Sequence, residues 1–210
     1  MRLRITFSKT DAMRYTSHLD LHRTWERTLR RAGLPLAYSQ GYNPHPKINL
    51  ASALPLGFTG QGEIIDVWLE QDLPIEEIRR ALDKAAPPGI QVVALESIAE
   101  RAPTLQKILL ASEFVITLQD PVPDLEDRVQ ALLAAESLPR ERRGKAYDLR
   151  PLVQELRCLP PDEEGQPRLF ARLTAQEGAT GRPEEVLREM DLTPENAGVE
   201  RLQLVFADPE

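Results

Sequence analysis

Residues 63–95 read EIIDVWLEQDLPIEEIRRALDKAAPPGIQVVAL, and the fold turns on them. Glu63–Leu69 is dense in β-branched and aromatic residues (Ile64, Ile65, Val67, Trp68), which suit a pleated, half-buried strand. Pro74 can open a helix because its missing N–H has no partner to lose there, and Ile75–Ala85 carries the helical pattern. Pro87, Pro88 and Gly89 end that helix, and Ile90 to about Leu95 reads as a second strand. Working upstream, Leu3–Phe7 alternates as a strand, and about Ser17–Ala32 is helical until Gly33 and Pro35 stop it. Extended segments follow near Leu36–Ser39 and Leu50–Leu54. With the first of these as a lead-in, the order is βαββαβ, the split βαβ pattern.

The second half repeats the order. Phe114–Leu118 reads as a strand, and Leu125–Ala135 as a helix starting after Pro123 and Asp124. Leu152–Arg157 and Leu169–Thr174 are strand-like, Pro183–Met190 is a short helix, and Val199–Phe206 is a closing strand. The expected fold class is therefore α+β, with two tandem ferredoxin-like (βαββαβ) halves built on antiparallel sheets. Residues 1–100 form the first half and residues 101–210 the second, joined by a connection over about 97–112. One continuous α+β domain is the competing reading.

Composition narrows the classes of function. A chain of 210 residues with 41% hydrophobic and 28% charged residues has the balance of an ordinary globular protein. No segment approaches transmembrane length, and the N-terminus lacks the apolar run of a signal peptide, so a cytoplasmic protein without membrane association is expected. Cys158 is the sole cysteine, which excludes an intramolecular disulfide and a cysteine-rich zinc site. The net charge of −7 conceals an asymmetry. Residues 1–50 hold nine Lys/Arg against three Asp/Glu, a net of +6, which leaves −13 for the remainder. A basic patch on an acidic chain points to a local anionic partner, against the alternative of an ordinary solvated helix face.

Two stretches carry the candidate site. On a helical wheel Leu21, Trp25, Thr28, Leu29 and Ala32 share one face, and Arg23, Arg27 and Arg30 the opposite one, with Arg31 on its flank. Arginine suits forked contacts with phosphate or carboxylate. His18 and His22 stand four apart, a spacing that can ligate a metal with His45 as a third ligand, but no carboxylate or thiol completes a strong pattern. No metal or other cofactor is expected. In SQGYNPHPK (residues 39–47), Gly41 permits unusual dihedrals while Pro44 and Pro46 hold their predecessors extended. Tyr42, Asn43, His45 and Lys47 are thereby presented on a stiffened loop, with Tyr38 just before it. In the second half Arg140, Arg142, Arg143, Lys145 and Arg150 surround Tyr147 at the equivalent place. The run 178–183 (GATGRP) enters a helix. His18, at the start of the first helix, is expected to converge with the loop on one groove.

Residues 14–21 (RYTSHLDL) and 30–47 (RRAGLPLAYSQGYNPHPK) resemble the signature of the radical-SAM-linked domain family. The likeness continues through residues 54–57 (LPLG) and 62–69 (GEIIDVWL), and returns at 145–151 (KAYDLRP) and 182–183. That is a bacterial family of unassigned function, whose members occur alone or fused behind a cobalamin-binding radical SAM enzyme. Its pattern does not place histidine at the position of His22, which counts against a metal site there. The resemblance implies partnership with radical SAM chemistry, which this chain cannot perform itself without a cysteine triplet. Two ferredoxin-like halves are also the build of the repeat-processing CRISPR ribonucleases, but their glycine-rich loop has no clear version here.

The leading expectation is a non-catalytic RNA- or substrate-binding accessory protein serving a radical SAM enzyme. Its binding residues would be Arg14, Tyr15, His18, Arg23, Arg27, Tyr38, Tyr42, Asn43, His45, Lys47, Arg143, Lys145, Tyr147 and Arg150. Phosphate contacts and stacking surfaces are what such residues supply. A metal-independent ribonuclease using His18 or His45 is the second reading, and a protein–protein adaptor the third. Oligomeric state is not legible.

Overall fold

The first strand of the chain already separates two chemistries. In β1 (Arg2–Lys9) Leu3, Ile5 and Phe7 are wholly buried on one side, while Arg2 and Arg4 alternate onto the other. The computed structural model describes residues 1–142 and 144–207, so Arg143 lies outside the described residues. The chain divides into two units, Met1–Ile108 and a second that begins at Leu109. Among the described residues no helix is long and apolar enough to cross a membrane.

In the first unit β1 is followed by α1 (His18–Arg31), β2 (Ile48–Leu50), β3 (Thr59–Trp68), α2 (Ile75–Ala85), β4 (Ile90–Ile98) and the one-turn α3 (Leu105–Ile108). All strand pairings are antiparallel: β1 pairs with β3 and β4, and β2 takes the far side of β3, giving the order β2-β3-β1-β4. The register sets Arg2 opposite Trp68 and Lys9 opposite Gly60. Leu21, Trp25 and Leu29 of α1 join Ile78 and Leu82 of α2 in one core over Leu3, Ile5, Phe7, Ile65 and Val67, so both helices cover the same face. Trp25 is 1% exposed and meets the Phe7 ring edge-on at 4.8 Å. Ser17 caps α1, its Oγ accepting the Asp20 N–H at 3.2 Å and donating to the Asp20 carboxylate at 2.7 Å.

The opposite face hides ionic groups. Asp66 on β3 is 0% exposed and accepts from Arg2 at 2.6 Å and from Arg4 at 2.8 Å. Arg2 also donates to the carbonyls of Ala102 and Pro103 and lies 4.9 Å over Trp68. Charges taken out of water survive only when paired and hydrogen-bonded in this way.

The second unit contains β5 (Leu109–Leu118), α4 (Leu125–Ala134), β6 (Pro139–Arg142), β7 (Lys145–Asp148), β8 (Val153–Leu159), β9 (Arg168–Gln176), β10 (Ala179–Thr180), α5 (Pro183–Glu189) and β11 (Ala197–Phe206). Its main strands are antiparallel in the order β8-β9-β5-β11. Three expectations need correction. The strand expected over Leu50–Leu54 is Ile48–Leu50, because the chain bends at Ala51 and Ser52 and Leu54–Pro55 leads into a turn. The expected connection over about 97–112 contains the one-turn α3, and β5 begins within it at Leu109. The basic stretch after α4 is no irregular loop: β6 and β7 pair from Pro139↔Asp148 to Arg142↔Lys145.

Candidate functional site

Of the nine basic residues in positions 1–50, most serve the fold. Arg2 and Arg4 neutralise Asp66, a residue beyond that window. Lys9 is buried and donates to the carbonyls of Phe58 and Arg14 at 2.9 and 3.1 Å. Arg14 Nε donates to Gly57 O at 2.8 Å, clasping the turn before β3, and its other end lies 3.6 Å from Asp11. Arg31 donates to Ala85 O at the end of α2. What is left outside is Arg23, Arg27, Arg30 and Lys47, with Arg23 near Asp20 at 3.3 Å. The proposed basic patch is therefore smaller than a +6 window suggests.

The segment after α1 forms an extension at the edge of β3. Leu36 bridges to Leu69, the Ala37 N–H donates to Trp68 O at 2.8 Å, and the Trp68 N–H donates to Lys47 O at 3.1 Å. The two arms then close on each other: Lys47 N–H to Ala37 O, Ser39 N–H to His45 O, both 2.8 Å, and Tyr38 opposite Pro46. Ser39 Oγ adds a bond from the His45 N–H at 3.0 Å. Gly41, at φ +135°, turns the tip where a Cβ would be strained. Pro46 is buried as an anchor, whereas Tyr42 is 100% exposed and Tyr38, Asn43, His45 and Lys47 also face solvent.

His18 does not join them. The segment leading to it is tied to the Lys9–Gly60 end of the sheet, by Thr10 N–H to Gly89 O at 2.9 Å and Gly57 N–H to Arg14 O at 3.0 Å. The extension starts at the Arg2–Trp68 end, about 26 Å away along β3. Helix α1, about 20 Å long, runs from one end to the other, because Leu36 five residues beyond it already bridges Leu69. The expected convergence of His18 with His45 is overturned by this antiparallel course. Arg14 and Tyr15, the latter 77% exposed, stand with His18 at its end. His22 is 3.6 Å from Glu26, its i,i+4 neighbour. Among the described residues no group of three or more His, Cys, Asp or Glu is placed to hold a metal.

In the second unit the β6–β7 hairpin is held down onto α5. Arg140 pairs with Glu189 and lies 3.9 Å from Glu185, and Glu185 also faces the Tyr147 phenol. Burial, reinforced by Glu185, holds that phenol above its ordinary pKa. Asp148 accepts the N–H groups of Leu138 at 2.7 Å and Arg150 at 2.9 Å, which hold its carboxyl below the usual range. The guanidinium of Arg150, a residue expected in the site, donates to Leu133 O at 3.0 and 3.2 Å and to Val153 O at 3.0 Å, closing the C-terminus of α4.

Beneath this hairpin lies a cavity of about 500 Å³ lined by Arg142, Lys145, Tyr147, Asp148, Leu152 and Arg182, among others. Arg182 arrives because Gly181 passes close over Leu152, where an added Cβ would stand 3.0 Å from Leu152 O. Lys145 and Tyr147 were expected in the site. Arg142 and Arg182 were visible as basic residues, but forty positions apart in the chain nothing linked them.

A family model described as an uncharacterised protein conserved in bacteria (DUF2344) matches residues 2–183. No curated protein matches the chain. Among solved structures, a chain of a Cbf5-Nop10-Gar1 complex is similar over 99% of this chain and 50% of that one, with a TM-score of 0.52 and 11% identity. A chain of the archaeal box H/ACA sRNP Nop10-Cbf5 complex is similar over 95% and 46%, with a TM-score of 0.46 and 12% identity. The present chain thus spans about half the length of those relatives. At 11% identity the likeness to the Cbf5-Nop10-Gar1 chain is one of fold.

Proposed function

We propose that this chain, which belongs to the DUF2344 family of proteins conserved in bacteria, is a cytoplasmic, non-catalytic accessory protein that binds single-stranded RNA and presents it to a radical SAM enzyme. The observation that carries the RNA reading is the extension on β3. It places a wholly exposed aromatic ring, Tyr42, on a backbone stiffened by Pro44 and Pro46, beside Asn43, His45 and Lys47. Exposed aromatic rings beside cations are how proteins stack bases and hold a strand's phosphates. Arg27 and Arg30, on the C-terminal half of α1, extend the cationic surface toward the same end of the sheet. The radical SAM partner rests on the sequence resemblance, and its absence from native co-purifications would remove that part. We read each unit as a ferredoxin-like half, supported by the shared order of elements and the parallel strand orders β2-β3-β1-β4 and β8-β9-β5-β11. A metal-independent ribonuclease using His18 or His45 would instead show cleavage with a histidine-dependent pH profile, whereas binding without turnover supports the present reading.

The test is RNA affinity as a function of salt, using 5′-hydroxyl oligoribonucleotides. Log affinity should fall against log salt with a slope of about −0.7 per phosphate neutralised. Lys47→Ala or Arg27→Ala should remove about one phosphate's worth of slope. Tyr42→Ala should cost about 1–3 kcal/mol of binding with the slope unchanged. Salt-independent binding, or no loss with Tyr42→Ala, overturns the reading.

A further inference from the structure

The cavity under the β6–β7 hairpin has a charge balance that the fold itself does not use. Three cations line it, Arg142, Lys145 and Arg182, and none has an ion-pair partner among the described residues. Among the described residues one carboxylate lines it, Asp148, whose Oδ1 accepts two backbone N–H groups. Glu184 and Glu185, two and three residues beyond Arg182, both pull on its charge, and Glu185 also lies 3.9 Å from Arg140 and 3.8 Å from Arg188. Arg182 is uncomfortable there: burial first, and Arg142 second, lower its pKa, against the opposing pull of Glu184 and Glu185. Its Nε is shielded from solvent with no hydrogen-bond acceptor. A buried donor left unpaired is costly, and two guanidinium groups repel unless an anion sits between them. The volume falls in the range of about 300–1,000 Å³ that small-molecule sites occupy, and Tyr147 and Leu152 give it an apolar wall beside the cations.

We propose that this cavity binds a phosphomonoester of mononucleotide size, with the phosphate held by Arg142, Lys145 and Arg182 and the remainder lying along Tyr147 and Leu152. The site is separate from the RNA surface of the first unit and stands or falls without it. Two sources supply the same chemistry: a free nucleoside monophosphate, or the terminal phosphate of a nucleic-acid strand.

Calorimetry on the full chain separates them, with AMP, adenosine, inorganic phosphate, and one oligoribonucleotide with and without a 5′-phosphate. AMP should bind, adenosine should not, and phosphate should compete. Arg182→Gln should weaken AMP about tenfold or more, as loss of a charge-assisted contact does. Arg142→Gln, on the hairpin surface, gives a second reading should Arg182→Gln fold poorly. Lys47→Ala should leave AMP binding unchanged, which keeps failure here distinct from failure of the RNA surface. A gain from the 5′-phosphate that Arg182→Gln abolishes identifies a strand end as the source; AMP binding without such a gain identifies a free nucleotide. Equal behaviour of AMP and adenosine, or AMP affinity within twofold in both arginine variants, overturns the proposal.

Discussion

The two segments that follow the first helix of each unit both carry tyrosine and lysine and are treated oppositely. Residues 36–47 are bound through their backbone to Trp68 and Leu69 and leave their polar side chains in water. Residues 139–148 are a hairpin pressed through its side chains onto α5, with Arg140 and Tyr147 engaged by Glu185 and Glu189. The difference lies in the acids available: residues 36–47 contain none, and the second hairpin meets two glutamates on one short helix. A basic loop is a free binding surface only where the fold supplies no carboxylate to consume it. Where the carboxylates take some cations and not others, the remainder define a pocket.

That contrast can be broken by measurement. The largest effect is expected at Leu149, which is wholly buried where the second hairpin returns to the unit. Leu149→Ala should lower unfolding free energy by about 2–5 kcal/mol in urea titrations. A loss under 1 kcal/mol would mean that the hairpin is not anchored there. Next is Arg140→Ala, which strips half-buried Glu189 of its partner and leaves Glu185 only Arg188. It should cost about 1–2 kcal/mol, between the values for exposed and buried pairs, and should speed amide exchange over residues 139–148 alone. By contrast, Tyr42→Ala at the open tip should leave stability within about 0.5 kcal/mol; a larger loss would show that this tip also packs.

The smallest effect is a pH dependence peculiar to the second hairpin. The Asp148 carboxyl is lowered in the folded state by the Leu138 and Arg150 N–H groups, so the folded state binds its proton less readily than the unfolded one. Its contribution is complete above the ordinary carboxylate pKa of about 4 and is lost as pH falls through the lowered folded value. Stability of Asp148→Asn relative to the native chain, followed from pH 6 down to pH 3, should show the difference shrinking on acidification. A constant difference would mean that charge on Asp148 contributes nothing.

Much of the secondary structure was legible in local chemistry. Gly33 as a stop and the apolar stripe Leu21, Trp25, Thr28 and Leu29 need only neighbours three or four residues away, and α1 follows them. Pro74 and the Pro87–Gly89 break bound α2 for the same reason. Charge was misread because it was counted by position in the chain: Arg2 and Arg4 belong to Asp66, more than sixty residues on.

The sequence by itself determined the main helices and strands, and which face of α1 is buried, because periodicity and backbone restriction act over a few residues. Only the tertiary structure decided which side chains share a site. An antiparallel sheet can send residues close in sequence to opposite ends, as it does His18 and His45, and can bring Arg142 beside Arg182 across forty positions. Coulomb and hydrogen-bond energies depend on distance in space, and no local pattern in the chain records that distance.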